Sequence, residues 1–166
     1  MFQFKPLSKE AVPAALEKAQ RYRMLNEPLE AESICLDVLD VDPENDEALV
    51  TLLLALTDQF QYRLSETFDR ACELLHRLPD EYGRAYYCGI ILERSAKAYL
   101  RQASPGSGSM AYEQFRAAMA NYEEAAELRA HGNDDPLLRW NACARYLDRH
   151  PDLQPAPVER TEEMLE

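Results

Sequence analysis

Glycine is scarce in this chain, five residues in 166, and no stretch alternates polar and apolar residues with a period of two. Sheet structure is therefore not expected. Long apolar runs are missing as well. The longest window, Ala48 to Leu56, is broken by Thr51 and is too short to span a bilayer. The start, Met-Phe-Gln-Phe-Lys, has no apolar core of a signal peptide, so a cytoplasmic location is expected. The four cysteines, Cys35, Cys72, Cys88 and Cys143, lie far apart and form no C-x-x-C pair; each reads as a small buried thiol. His76, His131 and His150 form no H-x-x-x-H or H-E-x-x-H spacing, so no metal site is expected. The Ser-rich run Ser104–Ser109 follows no strand and precedes no G-K-[ST], which excludes a nucleophile elbow and a phosphate loop. The carboxylate pairs Glu123-Glu124 and Asp134-Asp135 have nothing beside them to raise one pKa for acid–base work. Neither an enzyme nor a cofactor is expected.

Charge of one sign is absent from a whole segment. Residues 26–60 hold ten carboxylates and no Lys or Arg, in a chain whose net charge is −12. That field repels phosphate backbones and excludes a nucleic-acid binder. It reads either as a solvated, solubilising surface or as a docking face for a basic partner.

What is present is helix-forming sequence. About 46% of residues are apolar, and long stretches are rich in Ala, Leu, Glu and Arg. Prolines and caps divide these stretches into seven helices. The first starts near Ser8 and ends at Asn26-Glu27-Pro28, because the residue before a proline resists the helical region. The second runs from Pro28 to about Val41 and faces inward with Ala31, Cys35, Val38 and Leu39. Asp42 is expected to cap the third, with Pro43 at its first position and the following acids at its positive dipole end. This third helix, with Leu49, Leu52, Leu53, Leu54 and Leu56, is apolar nearly all round and should be covered on most sides. A fourth runs from about Arg63 to Leu78, a fifth from about Asp80 to Gln102 and a sixth from about Met110 to Ala130. Ser104–Ser109 joins the last two as a flexible linker. Gly132 is the expected left-handed C-cap of the sixth. Asp135 and Pro136 open a last helix that runs to Arg149.

The expected fold is all-α: antiparallel hairpins over about 8–42, 44–78 and 80–131, a capping helix 135–149, one domain over 1–150, and a Pro-rich acidic tail 151–166. Pairs of helices at a fixed interval invite a search for repeats. Pro43 and Pro79 stand 36 residues apart. A 34-residue unit begun at Val12 places small or apolar residues at Ala15, Ala19, Tyr22, Ala31 and Val38, with Pro43 at its exit. Gly89, Ala118, Tyr122 and Ala125 fit the third unit, and Trp140-Asn141 with Ala144 the fourth. In these residues the chain resembles the tetratricopeptide-repeat family over roughly 12–149. It departs by two extra residues in unit two, where Leu53 replaces a small residue. It departs also by the insertion at Ser104–Ser109 and by a proline displaced to Pro136.

The resemblance implies a right-handed stack whose first helices line a concave groove that binds a protein partner. The groove-facing candidates are Leu16, Gln20, Arg23 and Met24, then Val50, Leu54 and Thr57, then Tyr86, Ile90 and Arg94, then Asn141 and Arg145. Among them Arg23, Val50, Leu54, Tyr86, Ile90, Arg94, Asn141 and Arg145 are the expected partner-binding set. The family's clamp for C-terminal carboxylates requires Lys and Asn where this chain has Leu16, Gln20, Val50 and Leu54, so that role is not carried over. The resulting expectation is an adaptor or scaffold, with a mixed apolar and Arg groove and a protein partner, and without nucleic acid or membrane binding. The alternative is a structural or self-associating subunit, a homodimer for instance, joined through an aromatic tip of the long third hairpin: Tyr99, Leu100, Tyr112 and Phe115.

Overall fold

The computed structural model describes residues 2–157, and the acidic end of the tail expected over 151–166 lies partly outside them. Helices make up 76% of the described residues, and no strand occurs among them. A 3-10 turn, Lys9–Ala11, leads into α1 (Val12–Met24), followed by α2 (Pro28–Val41), α3 (Asp46–Asp58), α4 (Phe60–Leu75), α5 (Glu81–Gln102), α6 (Ser107–Leu128) and α7 (Asp135–Arg149). Each helix packs on the next, and α1 also touches α3, as α3 touches α5. The protein is an all-α stack of helical hairpins.

The first turnover between helices is closed by backbone geometry. The Glu27 N–H donates to the Tyr22 carbonyl and the Asn26 N–H to the Arg23 carbonyl, with Asn26 at φ 60°. This is a Schellman closure, and Asn tolerates its left-handed residue better than most side chains do. Pro28 then takes the first position of α2, where its missing N–H costs nothing. Ala31, Cys35 and Val38 are fully buried on the expected inward face.

Several boundaries differ from expectation. Ser8 makes no side-chain cap, and its carbonyl instead accepts from Ala11 in the 3-10 turn. Asp42 ends α2 rather than opening α3. Asn45 is the true cap: its Oδ1 accepts from the Ala48 N–H at 2.9 Å while its Nδ2 donates to Asp42 at 2.9 Å. That pair of polar side chains closes a turn over Pro43-Glu44 and delays the helix by three residues. The α4 helix begins early, at Phe60, and breaks at Arg63 (φ −139°, ψ 38°). The α6 helix begins at Ser107, so only Ala103 to Gly106 connects the third hairpin. It ends at Leu128 because Arg129 turns extended and its guanidinium donates to the Ala126 carbonyl. Gly132 is left-handed (φ 84°) as expected, but in the loop that follows.

Packing divides into two clusters. The helices α1 to α4 bury Leu16, Ala19, Val38, Leu49, Leu53 and Leu56 together with Ile91 and Ala98 of α5. The second cluster joins α5, α6 and α7 through Ile90, Phe115, Ala118, Met119, Tyr122 and Cys143. Leu54, Tyr87 and Tyr99 touch both, so α5 is the seam between them. Its crossing with α6 is close. A Cβ on Gly89 would stand 2.5 Å from the Tyr122 ring, a distance that no side chain can occupy. Gly89 is therefore the small residue that the crossing requires.

Candidate binding groove

Helix α5 presents Arg94, Lys97, Ala98 and Arg101 at the spacing i, i+3, i+4, i+7, which is one helical face. That face forms one wall of a cavity of about 590 Å³. The remaining wall consists of Asn26 beyond α1, Thr57 and Asp58 at the end of α3, Phe60, Gln61 and Tyr62 at the start of α4, and Arg139 of α7. Four cations line the cavity among the described residues, against one lining carboxylate, in a chain of net charge −12.

Two carboxylates fix the geometry of these cations. Asp58 accepts from Arg23 Nε at 2.7 Å and from Arg94 Nη1 at 2.5 Å, so it ties α1 and α5 to the end of α3. The same Arg94 nitrogen also reaches Thr57 Oγ1 at 2.7 Å. The second carboxylate, Glu93, is only 1% exposed and lies behind the wall. Lys97 Nζ donates to it at 2.6 Å, Arg139 Nη2 at 2.8 Å and the Tyr122 hydroxyl at 2.8 Å. Burial alone would push the Glu93 carboxyl up, but the hydrogen bond from Lys97 and the charges of Arg139 and Lys97 outweigh it, and its pKa falls below the usual value. The Tyr122 hydroxyl is pushed far up by burial beside that carboxylate and stays protonated. Glu93 therefore remains an anion and holds Lys97 and Arg139 side by side. Arg101 donates to the neutral Gln61 at 2.8 Å, and Arg139 Nε has no hydrogen-bond partner among the described residues.

The expected partner-binding residues divide in this arrangement. Arg23 and Arg94 meet at Asp58, and Arg94 lines the cavity. Val50 and Leu54 are half-buried against the core, and Tyr86 stacks within a tyrosine cluster with Tyr82, Tyr87 and Tyr122. Ile90 is 5% exposed and belongs to the core, so it does not serve as an anchor for a ligand. Asn141 and Arg145 are exposed and lie outside the cavity, because the buried side of α7 runs through Pro136 and Cys143 and brings Arg139 to the cavity instead. Sequence reasoning missed Asp58, Lys97, Arg101, Arg139 and Glu93. The cation stripe of α5 was readable from its spacing alone.

The aromatic tip is likewise corrected. Phe115 is fully buried, its ring centroid 4.8 Å from that of Tyr146 of α7, and Tyr99 is half-buried against both clusters. Leu100 and Tyr112 are half-buried. Leu153, just after α7, is itself buried and lies 3.7 Å from the Cβ position of Gly108. The final helix and the start of the tail thus cover the tip. Of the cysteines, Cys35 and Cys143 are buried as expected and Cys72 and Cys88 only half-buried. Burial pushes the Cys35 and Cys143 thiols up to about 12.

Comparison with known proteins finds no matching family model, no matching curated relative and no matching solved structure.

Proposed function

We propose that the chain is a non-enzymatic protein–protein interaction module, an adaptor or scaffold, that captures an acidic segment of a partner in the groove along α5. One observation carries this reading: four cations from two helices converge on a single cavity in an otherwise acidic protein. Such a charge contrast steers an anionic ligand to one place and repels it elsewhere. The ion pairs at Asp58 and Glu93 hold the cations in position before any ligand arrives, which lowers the ordering cost of binding. A tetratricopeptide-like stack is the architecture we propose behind it, supported by the consecutive hairpins, the contacts α1–α3 and α3–α5, and the close crossing at Gly89. A cytoplasmic location fits four thiols free of disulfides. Association through the third hairpin loses its support, since Phe115 is covered.

Affinity capture from the source cells, read by mass spectrometry, tests the reading. The Arg101→Glu variant, which leaves the Lys97–Glu93 pair intact, should lose a set of proteins that the wild type and the outer-surface variant Arg145→Glu both retain. Identical sets from all three would sink the groove as the binding surface.

A further inference from the structure

We infer that the group held in this groove is a phosphomonoester on a partner polypeptide, a phosphorylated side chain rather than a carboxylate. The inference rests on the groove reading above and specifies its ligand. Charge is the first argument. Arg94, Lys97, Arg101 and Arg139 line the cavity, and Asp58 and Glu93 are the carboxylates bonded to them among the described residues. Two positive charges remain in excess even before Arg23 on Asp58 is considered. A carboxylate carries one negative charge, whereas a phosphomonoester carries about 1.5 to 2 at neutral pH.

Donor number is the second argument. Among the described residues, Arg101 donates only to Gln61, and Lys97 only to Glu93, so a guanidinium and an ammonium retain most of their N–H groups. Arg139 spends Nη2 on Glu93, its Nε is buried without a partner, and its Nη1 makes no hydrogen bond among the described residues. One arginine fork satisfies a planar carboxylate with two parallel bonds. Donors arriving from α5 on one side and α7 on the other suit a tetrahedral group with three free oxygens. The scale of the cavity, about 590 Å³, admits such a side chain with its neighbouring residues. A nucleic acid is the poorer match. Its phosphodiesters carry one charge each, and the polymer would run from the groove onto a protein of net charge −12.

Fluorescence anisotropy with the full chain tests this. The probes are three labelled degenerate nonapeptide libraries that differ only at the central residue: phosphoserine, glutamate or serine. The phosphoserine library should bind at least about tenfold more tightly than the glutamate library, with the serine library showing no saturable binding. Binding should weaken as pH falls through about 6, where the phosphate takes up its second proton. The Arg101→Gln variant, which removes a cation bonded only to Gln61 and leaves Glu93 compensated, should weaken phosphoserine binding by about tenfold with an unchanged far-UV spectrum and melting temperature, while Arg145→Gln binds as wild type. Equal affinity for glutamate and phosphoserine would overturn the phosphate assignment and leave the adaptor reading standing. No difference among the three libraries would overturn it as well, with the adaptor reading then judged by the capture experiment alone. Competition by inorganic phosphate at the same concentration as the phosphopeptide would show a free-anion site and overturn it too.

Discussion

Glu93 sits in the middle of α5 with its side chain almost wholly out of water, which costs several kcal/mol unless the charge is compensated. Three donors compensate it, and two of them are cations that also face the groove. Because its pKa is lowered on folding, Glu93 contributes stability that is fully present above its ordinary value near 4.5 and is lost as pH falls through the folded value. Urea unfolding followed from pH 7 down to pH 3 should show that loss. Glu93→Gln should be less stable at pH 7 by about 3 kcal/mol, because Lys97 and Arg139 then face each other without their anion, and its stability should fall less steeply below pH 4.5. A variant whose pH profile parallels the wild type would refute this assignment. The residue was hard to find from sequence. An isolated glutamate with a lysine four residues on reads as a solvated helix pair, and only the arrival of Arg139 from 46 residues away makes it a buried site. Gly89 was easier, because a lone glycine inside a strong helical pattern asks for a reason, and the Tyr122 ring supplies it.

Helix interiors were legible and helix ends only in part: α2 and α7 have the expected bounds, while α3, α4 and α6 do not. The apolar period located all seven helices, since burial on one face imposes it. The start of α3 was misread because Asp42 and Asn45 are both good caps, and only the local bond to Ala48 decides between them. The run Ser104–Ser109 read as a linker because Gly and Ser punctuate loops. Its last three residues instead form the first turn of α6, where backbone N–H groups lack helical partners in any case and Gly costs less than in an interior. The true connection is tight. Ala103 ends α5 in the left-handed region at φ 49°, a conformation that costs an L-residue about 1–2 kcal/mol. Glycine there removes that strain and gives back part of it as unfolded-chain entropy, of order 0.4–1 kcal/mol. Ala103→Gly should therefore stabilise the protein by about 0.5 kcal/mol and raise the melting temperature by a degree or more. A lower melting temperature would show that the strain is absent.

At the level of the whole molecule, the two clusters meet along α5 and at Leu54 of α3, and α7 closes one of them. Composition and periodicity could announce a terminal helix, but not which residues it would cover, since Phe115 and Tyr146 are 31 positions apart and belong to separate patterns. The groove was half legible for the same reason: Arg23 and Arg94 followed from the resemblance, while Arg139 depended on the rotation of α7. Truncation before Asp135 should reveal this division. It strips Tyr146 from Phe115, Arg139 from Glu93 and Leu153 from the hairpin end, while leaving the packing of α1 to α4 on Ile91 and Ala98 in place. Hydrogen exchange read by mass spectrometry should then show α6 and the Glu93 turn of α5 exchanging faster by an order of magnitude or more, with α2 and α3 close to the full-length rate. Local stability of this kind is expected where stacked units share only neighbouring interfaces. The newly bared Phe115 and Tyr122 should also make the truncated chain associate with itself more strongly than the full chain, in which Phe115 is buried. If protection instead collapses evenly over all the remaining helices, the stack is one cooperative unit and α7 is needed for all of it.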